Sequence, residues 1–158
     1  MHTQPTPVRI AEPKDEPGVL DLCWAAHTEK SERSLSRPKV EAMVRGCLSR
    51  DGGLIGIIEV DGDVRAMAGL VFSSPWYSDD KEISDWLVFV RQDCRHLCYL
   101  SPLLRFMRRL AIKTGLPIVS GFIGDERAAA KAAAYRRHFP AYGQLFRYDP
   151  NAGLTTRA

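Results

Sequence analysis

The chain has 158 residues, of which 45% are hydrophobic and 26% are charged, and its formal net charge is +3. That length fits one globular domain, and the composition excludes wholesale disorder and fibrous repeats. The small charge does not favour nucleic acid as a partner. With a polar N-terminus, no apolar run of about 18 residues and four scattered cysteines, we expect a cytoplasmic protein with free thiols, no membrane partner and no metal site.

The first half of the chain predicts a strand, two helices and a β-hairpin. Residues 8–10 suit a short strand, and apolar residues recur at helical spacing from position 19 and again after Ser36. The clearest local signal is a pair of apolar runs, 54–60 and 64–72, joined by an Asp-Gly turn that tolerates positive φ. This pattern indicates two antiparallel strands.

The second half predicts a βαβ unit. Residues 86–90 are almost continuously apolar, as expected for a strand in the middle of the sheet that is buried on both faces. Ser101 would cap the next helix, and the apolar run 116–122 would return as a parallel strand. An alanine-rich helix that runs to Phe139 and a last strand at 142–148 complete the prediction, so the fold class is α/β with a mixed sheet.

The turn between residues 91 and 100 is the main candidate for anion binding. Main-chain N–H groups converge where the following helix begins, and an arginine beside them adds a fork of donors. The predicted phosphate-binding residues are Arg95, His96, Leu97, Cys98, Tyr99, Leu100 and Ser101. On spacing alone, a structural turn with a surface arginine is the other interpretation.

Two segments around this turn resemble a known family. The run from Val90 to Arg95 and the segment Ser101-Pro102-Leu103-Leu104 resemble the central motif of the GNAT superfamily of acyl-CoA-dependent N-acyltransferases. In that family the strand is followed by an Arg/Gln-x-x-Gly-x-Gly/Ala turn. Cys98 and Leu100 stand at the small-residue positions of this pattern.

The resemblance implies the architecture of the whole chain. A GNAT-like fold would give a central mixed sheet of about six to seven strands flanked by about four helices. It would occupy residues 1–150 as a single domain, and residues 151–158 would be a flexible tail.

The resemblance also implies the roles of individual residues, with acetyl-CoA as the acyl donor. Tyr135 would protonate the departing thiolate of coenzyme A. The amides of the buried strand would bind pantetheine and polarise the thioester carbonyl. The residues concerned are Val88, Phe89 and Val90. Apart from the resemblance, the acceptor amine must lose a proton before it attacks, and the carboxylates near the buried strand, Glu82 and Asp85, are the candidate general bases. A solvated charge at the end of a strand is the other interpretation of each.

The sequence therefore favours an N-acetyltransferase that uses direct attack in a ternary complex, with a small-molecule or protein amine as acceptor. The alternative is a non-catalytic binding or regulatory protein of GNAT fold that has lost coenzyme A binding. It is motivated by Cys98, Leu100 and Ala128, the last of which replaces a frequent asparagine. Nucleic-acid binding through arginine clusters ranks last, and a homodimer is left open.

Overall fold

The computed structural model describes residues 7–31, 33–122, 127–143 and 150 of the chain. In that part five strands form one sheet: β1 (Arg9–Ile10), β2 (Gly53–Val60), β3 (Asp63–Ser73), β4 (Glu82–Val90) and β5 (Ile118–Val119). Four α-helices accompany the sheet: α1 (Glu16–Lys30), α2 (Arg37–Leu48), α3 (Leu100–Thr114) and α4 (Ala128–Arg136). Short 3-10 helices at Pro13–Asp15 and Gln92–Leu97 precede α1 and α3.

The strands lie side by side in chain order. The first four pair antiparallel with their neighbours, and β5 joins β4 in parallel, so the predicted hairpin and βαβ unit are confirmed. Asp61 and Gly62 form the hairpin turn with φ of 53° and 84°, values that an Asp-Gly turn accommodates. The α/β fold class is confirmed, with five strands rather than six to seven in the described sheet.

The sheet separates two apolar layers. On one face, α1 and α2 pack against side chains that include Ile57, Met67 and Phe89. On the other face, α3 and α4 pack against side chains that include Leu70 and Ile83. Successive side chains of a strand point to opposite faces, which is why both layers draw on the same strands. β4 therefore lies between the two helical layers.

Three sequence predictions need correction at this level. Among residues 86–90 Phe89 is buried, but the other four are half-buried, so burial on both faces was wrong. The strand predicted at 116–122 is limited to β5, because its ladder with β4 stops after two residue pairs. The last helix ends at Arg136, although the Phe139 N–H still bonds the Tyr135 carbonyl at 2.8 Å.

Other predictions fall outside the described residues. The last strand, predicted at 142–148, lies there from residue 144 onward, as does the predicted tail at 151–158. Tyr142 and Gly143 are described and are not in a strand. Within the described ranges, no helix combines the length and apolarity needed to cross a bilayer.

Replacing Gly69 by alanine should destabilise the contact between β3 and β4. A Cβ atom at Gly69 would lie 2.2 Å from Cε2 and 2.3 Å from Cζ2 of Trp86, and the half-buried indole must shift to admit it. We expect the free energy of unfolding to fall by about 1–3 kcal/mol in urea titrations. Gly46→Ala in α2 is the matched control, because its Cβ would meet nothing closer than 3.8 Å. Equal stability of the two variants would contradict this packing.

Candidate active site

β4 loses its parallel partner soon after it begins. Its pairing with β5 consists of Ile83 with Ile118 and Ser84 with Val119. Beyond Ser84, no described residue pairs with β4 on that side. The two strands therefore part and leave the second half of β4 with an unpaired edge.

The main-chain groups of two residues face this opening. Arg91 donates its N–H to the Arg65 carbonyl at 2.9 Å, so these two residues form a hydrogen-bonded pair of the ladder between β3 and β4. Bonded and non-bonded pairs alternate in an antiparallel ladder, so the N–H and C=O groups of Val88 and Val90 face away from β3. Phe89 has the opposite orientation and its main chain faces β3. We call the row formed by Val88 and Val90 the open edge of β4.

The turn after β4 is more regular than the sequence indicated. The 3-10 helix Gln92–Leu97 fills most of it, and Cys98 follows in a left-handed conformation with φ 57° and ψ 32°. His96, Leu97 and Cys98 have exposed side chains, whereas Tyr99 is buried. The half-buried side chain of Leu100 packs against the core under α3. Cys98 and Leu100, which replace small residues of the motif, thus direct their side chains to solvent and to the core, respectively.

The strained φ at Cys98 gives a direct test of the turn. A left-handed non-glycine residue costs about 1–3 kcal/mol, and glycine adopts the same φ freely at some cost in unfolded-state entropy. Cys98→Gly should therefore raise the free energy of unfolding by about 1 kcal/mol in urea titrations. Cys98→Ala removes the thiol without relieving the backbone, and it should match the wild type. A Cys98→Gly protein no more stable than Cys98→Ala would show that the turn is not strained.

Helix α3 begins earlier than expected and without a side-chain cap. Its N-cap is Tyr99, so the prediction that Ser101 caps the helix is wrong. The Ser101 hydroxyl instead lies 3.1 Å from Nε2 of His138, at the end of α4. In the described part of the chain, the amides of Leu100 and Ser101 have no protein acceptor. Free amides at a helix N-terminus favour an anion.

Arg95 reaches back toward the first helix. Its Nη2 lies 2.5 and 2.6 Å from the two carboxylate oxygens of Glu29 in α1, and its Nε donates to the Val90 carbonyl at 3.3 Å. The guanidinium lies 5.7 Å from the centre of the Phe89 ring. No described residue accepts a hydrogen bond from Nη1. The predicted phosphate ligand is therefore held by a carboxylate but keeps one free pair of N–H groups.

Tyr135 and Asp85 come together near the end of β5. The Tyr135 hydroxyl donates to the Gly121 carbonyl and accepts from the Ser120 hydroxyl, both at 3.4 Å. The Gly121 N–H donates to Oδ1 of Asp85 at 3.3 Å. We call these four residues the Asp85–Tyr135 cluster.

Burial changes the proton affinity of both ionisable groups in this cluster. It raises the pKa of Tyr135 to about 12, with a contribution from the Asp85 charge, while a hydrogen bond from Ser120 acts in the opposite direction. It also raises the pKa of the Asp85 carboxyl, against hydrogen bonds from Ser120 and Gly121. A carboxylate with a raised pKa is a better proton acceptor than an ordinary aspartate.

The other candidate base lies elsewhere. Glu82 is three residues before Asp85, and strand alternation places the two side chains on opposite faces of the sheet. Glu82 lines a cleft with Tyr77, Asp80 and Pro117, among others. The structure thus brings Asp85 to Tyr135 and leaves Glu82 apart.

Sequence reasoning missed Glu29, Ser120 and His138 as site residues. Glu29 and Arg95 are 66 positions apart in the chain, and no local pattern links them. Ser120 was hidden inside the predicted strand 116–122, although a polar residue at the end of an apolar run is a usable signal. In the described residues, no group of three or more histidine, cysteine or acidic side chains is placed to hold a metal ion.

Solved structures of two acetyltransferases and of an integron cassette protein share this fold. An aminoglycoside acetyltransferase from an uncultured soil metagenomic sample, in complex with sisomicin, has a TM-score of 0.67 over 90% of this chain and 93% of its own, at 12% identity. Ribosomal-protein-alanine N-acetyltransferase from Brucella melitensis biovar Abortus 2308 has a TM-score of 0.64 over 90% and 98%, at 13% identity. The integron cassette protein HFX_CASS3 from Cole Harbour Salt Marsh has a TM-score of 0.73 over 94% of each chain, at 16% identity.

These likenesses confirm the fold implied by the sequence motif. The chain has the fold of the GNAT acyltransferases. No protein-family model and no curated protein matches the sequence. At identities of 12–16% the likeness concerns the fold alone.

Proposed function

We propose that this protein is an N-acetyltransferase that transfers an acetyl group from acetyl-CoA to a primary amine by direct attack in a ternary complex. The observation that carries the proposal is the open edge of β4, followed in the chain by an α-helix whose first amides are free. Main-chain groups in these two places suit two of the polar parts of coenzyme A, the amides of pantetheine and the diphosphate. The acetyltransferase fold supports the same conclusion.

The residues at the turn fit such a ligand. The amides of Leu100 and Ser101 would bind the diphosphate, and the free Nη1 of Arg95 would add a charged donor. The side chain of Leu100 packs on the core, and that of Cys98 is exposed. When bound, the coenzyme supplies an acetyl group activated as a thioester.

The Asp85–Tyr135 cluster would handle the protons of the reaction. Transfer forms a C–N bond to the amine and breaks the C–S bond of the thioester, while one proton leaves nitrogen and one reaches sulfur. We assign the first proton to Asp85 and the second to Tyr135, because the two side chains share hydrogen-bond partners. Glu82 lies on the other face of the sheet, so we do not assign it a role.

A panel of amines tests the activity. Butylamine, sisomicin and a peptide with an N-terminal alanine represent a simple amine and the acceptor types named for two proteins of similar fold. We expect acetyl-CoA to give a mass-shifted product with at least one of them, and an Asp85→Asn/Tyr135→Phe double variant to give none. Equal product from wild type and double variant would remove the assignment.

The salt bridge between Arg95 and Glu29 favours the alternative function, a GNAT-fold binding protein that does not use coenzyme A, because the predicted phosphate ligand is already neutralised. Thermal unfolding separates the two functions. A ligand at about one hundred times its Kd stabilises the native state by roughly 2.7 kcal/mol. An unchanged Tm in saturating acetyl-CoA would support the binding protein, and a rise of several degrees would support the enzyme.

A further inference from the structure

The position of Ser120 between two ionisable groups carries an inference that rests on the proposed function. Its hydroxyl donates to Tyr135 Oη at 3.4 Å, and the next residue, Gly121, donates its N–H to Oδ1 of Asp85 at 3.3 Å. Ser120 thus lies beside the Asp85 carboxyl, and its hydroxyl lowers the pKa of that group. Tyr135 and Asp85 lie on different elements, α4 and β4, and Ser120 follows β5, which lies beside β4 in the sheet. Three elements thus meet at one hydroxyl group.

A serine hydroxyl has one hydrogen and two lone pairs, so it cannot donate to both neighbours at once. When Asp85 is ionised, the carboxylate accepts the Ser120 hydrogen, and the serine oxygen is left to accept from Tyr135. When Asp85 is protonated, the carboxyl donates to the serine oxygen, and the Ser120 hydrogen turns to Tyr135. The protonation state of Asp85 therefore sets the direction of the whole chain of hydrogen bonds.

The phenol is the buried end of this chain of hydrogen bonds, whereas Ser120 and Asp85 are half-buried. Tyr135 is 9% exposed, and its ring lies 5.2 Å from that of Phe122 and 6.2 Å from that of Phe139. The charged group that acts on the phenol is Asp85 itself. The hydrogen bond from the Ser120 hydroxyl therefore gives the buried phenol a direct route for regaining a proton.

We propose that Ser120 is a proton-relay residue that returns the proton taken up by Asp85 to Tyr135 during acetyl transfer. As Tyr135 gives its proton to the leaving sulfur, Ser120 gives its hydrogen to the phenol oxygen, and Asp85 gives the proton that it took from the amine to the serine oxygen. Each residue ends in its starting state, and one proton has moved from nitrogen to sulfur. The relay needs no co-reactant beyond the amine and the thioester.

The test is the single-turnover rate with acetyl-CoA and the panel amine that is acetylated fastest. Ser120→Ala should lower this rate by about one hundredfold, at the lower end of acid–base contributions, and Ser120→Thr, which keeps a hydroxyl, should restore most of it. Ser84→Ala, one residue before Asp85 on the opposite face of β4, is the matched control and should keep the wild-type rate. Thermal unfolding of each variant checks that it is folded.

Two readouts separate a relay from a structural serine. In mixtures of H2O and D2O, a plot of the wild-type rate against the fraction of D2O should be curved, because several protons move together. The same plot for Ser120→Ala should be a straight line. The ¹³C carboxyl signal of Asp85, identified by its loss in Asp85→Asn, should titrate at higher pH in Ser120→Ala, because the serine hydrogen bond lowers the pKa of that carboxyl.

The outcomes distinguish failure of the relay from failure of the proposed function. The relay is overturned if Ser120→Ala keeps the wild-type rate, or if its plot against the fraction of D2O is as curved as that of the wild type. The proposed acetyl transfer stands in either case. Wild-type rates in both Asp85→Asn and Tyr135→Phe overturn the proton roles assigned under the proposed function. Loss of activity in Ser120→Thr as well as Ser120→Ala would mean that packing, not the hydroxyl, is what matters.

Discussion

Replacing Tyr135 by phenylalanine is expected to lower kcat for acetyl transfer by about 10²- to 10⁴-fold, the range of a positioned general acid. The ring stays in its contacts with Phe122 and Phe139, so the change is confined to the hydroxyl. The Kd for acetyl-CoA should change little, since the donors assigned to the coenzyme are main-chain amides and Arg95, and none of them belongs to Tyr135. Steady-state kinetics and calorimetric titration on the same variant measure the two quantities separately.

Tyr142→Phe is the matched control for this variant, because Tyr142 is 89% exposed and has no part in the Asp85–Tyr135 cluster. It should keep the wild-type kcat. Equal kcat in Tyr135→Phe and wild type would remove the general-acid assignment. A rise in the Kd for acetyl-CoA together with a fall in kcat would instead mean that the phenol hydroxyl maintains the shape of the binding site.

The pH dependence of kcat should report Asp85. The base must be ionised, so activity should rise with pH, with its midpoint above the usual aspartate range because burial raises the pKa of Asp85. Stability should follow the opposite course. The unfolded carboxyl loses its proton at lower pH than the folded one, so the free energy of unfolding falls as pH rises between the two pKa values.

Asp85→Asn should separate these two effects. This variant lacks the base, so it should lose the activity and with it the rise of activity with pH. At pH 7 its free energy of unfolding should be at least that of the wild type, since the half-buried amide stays neutral. The carbonyl oxygen of the new side-chain amide can still accept the Gly121 N–H. Lower stability of this variant at pH 7 would contradict the raised pKa.

Arg95 and Glu29 should affect coenzyme binding in opposite directions. Hydrogen bonds to charged groups contribute about 1.5–3 kcal/mol, so Arg95→Ala should raise the Kd for acetyl-CoA by about tenfold to a hundredfold. Glu29 competes for the same guanidinium from a partly exposed position. Its ion pair contributes at most about 1 kcal/mol, so Glu29→Gln should lower the Kd by up to about fivefold.

The control for this pair is Glu41→Gln, which breaks a different ion pair, with Arg45 on α2. It should leave the Kd unchanged in calorimetric titrations. Weaker binding in both Arg95→Ala and Glu29→Gln would overturn the competition, since it would show that the salt bridge itself shapes the turn.

Local patterns predict a helix or strand correctly where the pattern in the sequence covers the same residues as the element in the structure. The hairpin was readable because an Asp-Gly turn lies between two apolar runs, and its positive φ at Asp61 and Gly62 is present. The apolar stripe of α3 was predictable because apolar residues recur at helical spacing in that segment, and Leu103, Leu104 and Met107 are buried. The limits of β5 were not readable, because the strand ends where its neighbour diverges and not where its own apolar run ends.

The candidate site was predictable in its main chain and less so in its side chains. The strand, the turn and the following helix set the approximate positions of the free amides. The open edge of β4 was not predictable, because it depends on where β5 ends. The contact of Arg95 with Glu29 depends on how α1 packs, and the choice between Glu82 and Asp85 depends on which face of β4 each occupies. Both are set by long-range packing, which a single sequence does not display.

Amide hydrogen exchange tests the binding of acetyl-CoA at the open edge of β4 most directly. With saturating acetyl-CoA, the amides of Val88, Val90, Leu100 and Ser101 should exchange more slowly, while the Phe89 amide, which faces β3, should keep its rate. Unchanged exchange at the first four positions, or protection confined to another surface, would contradict the account.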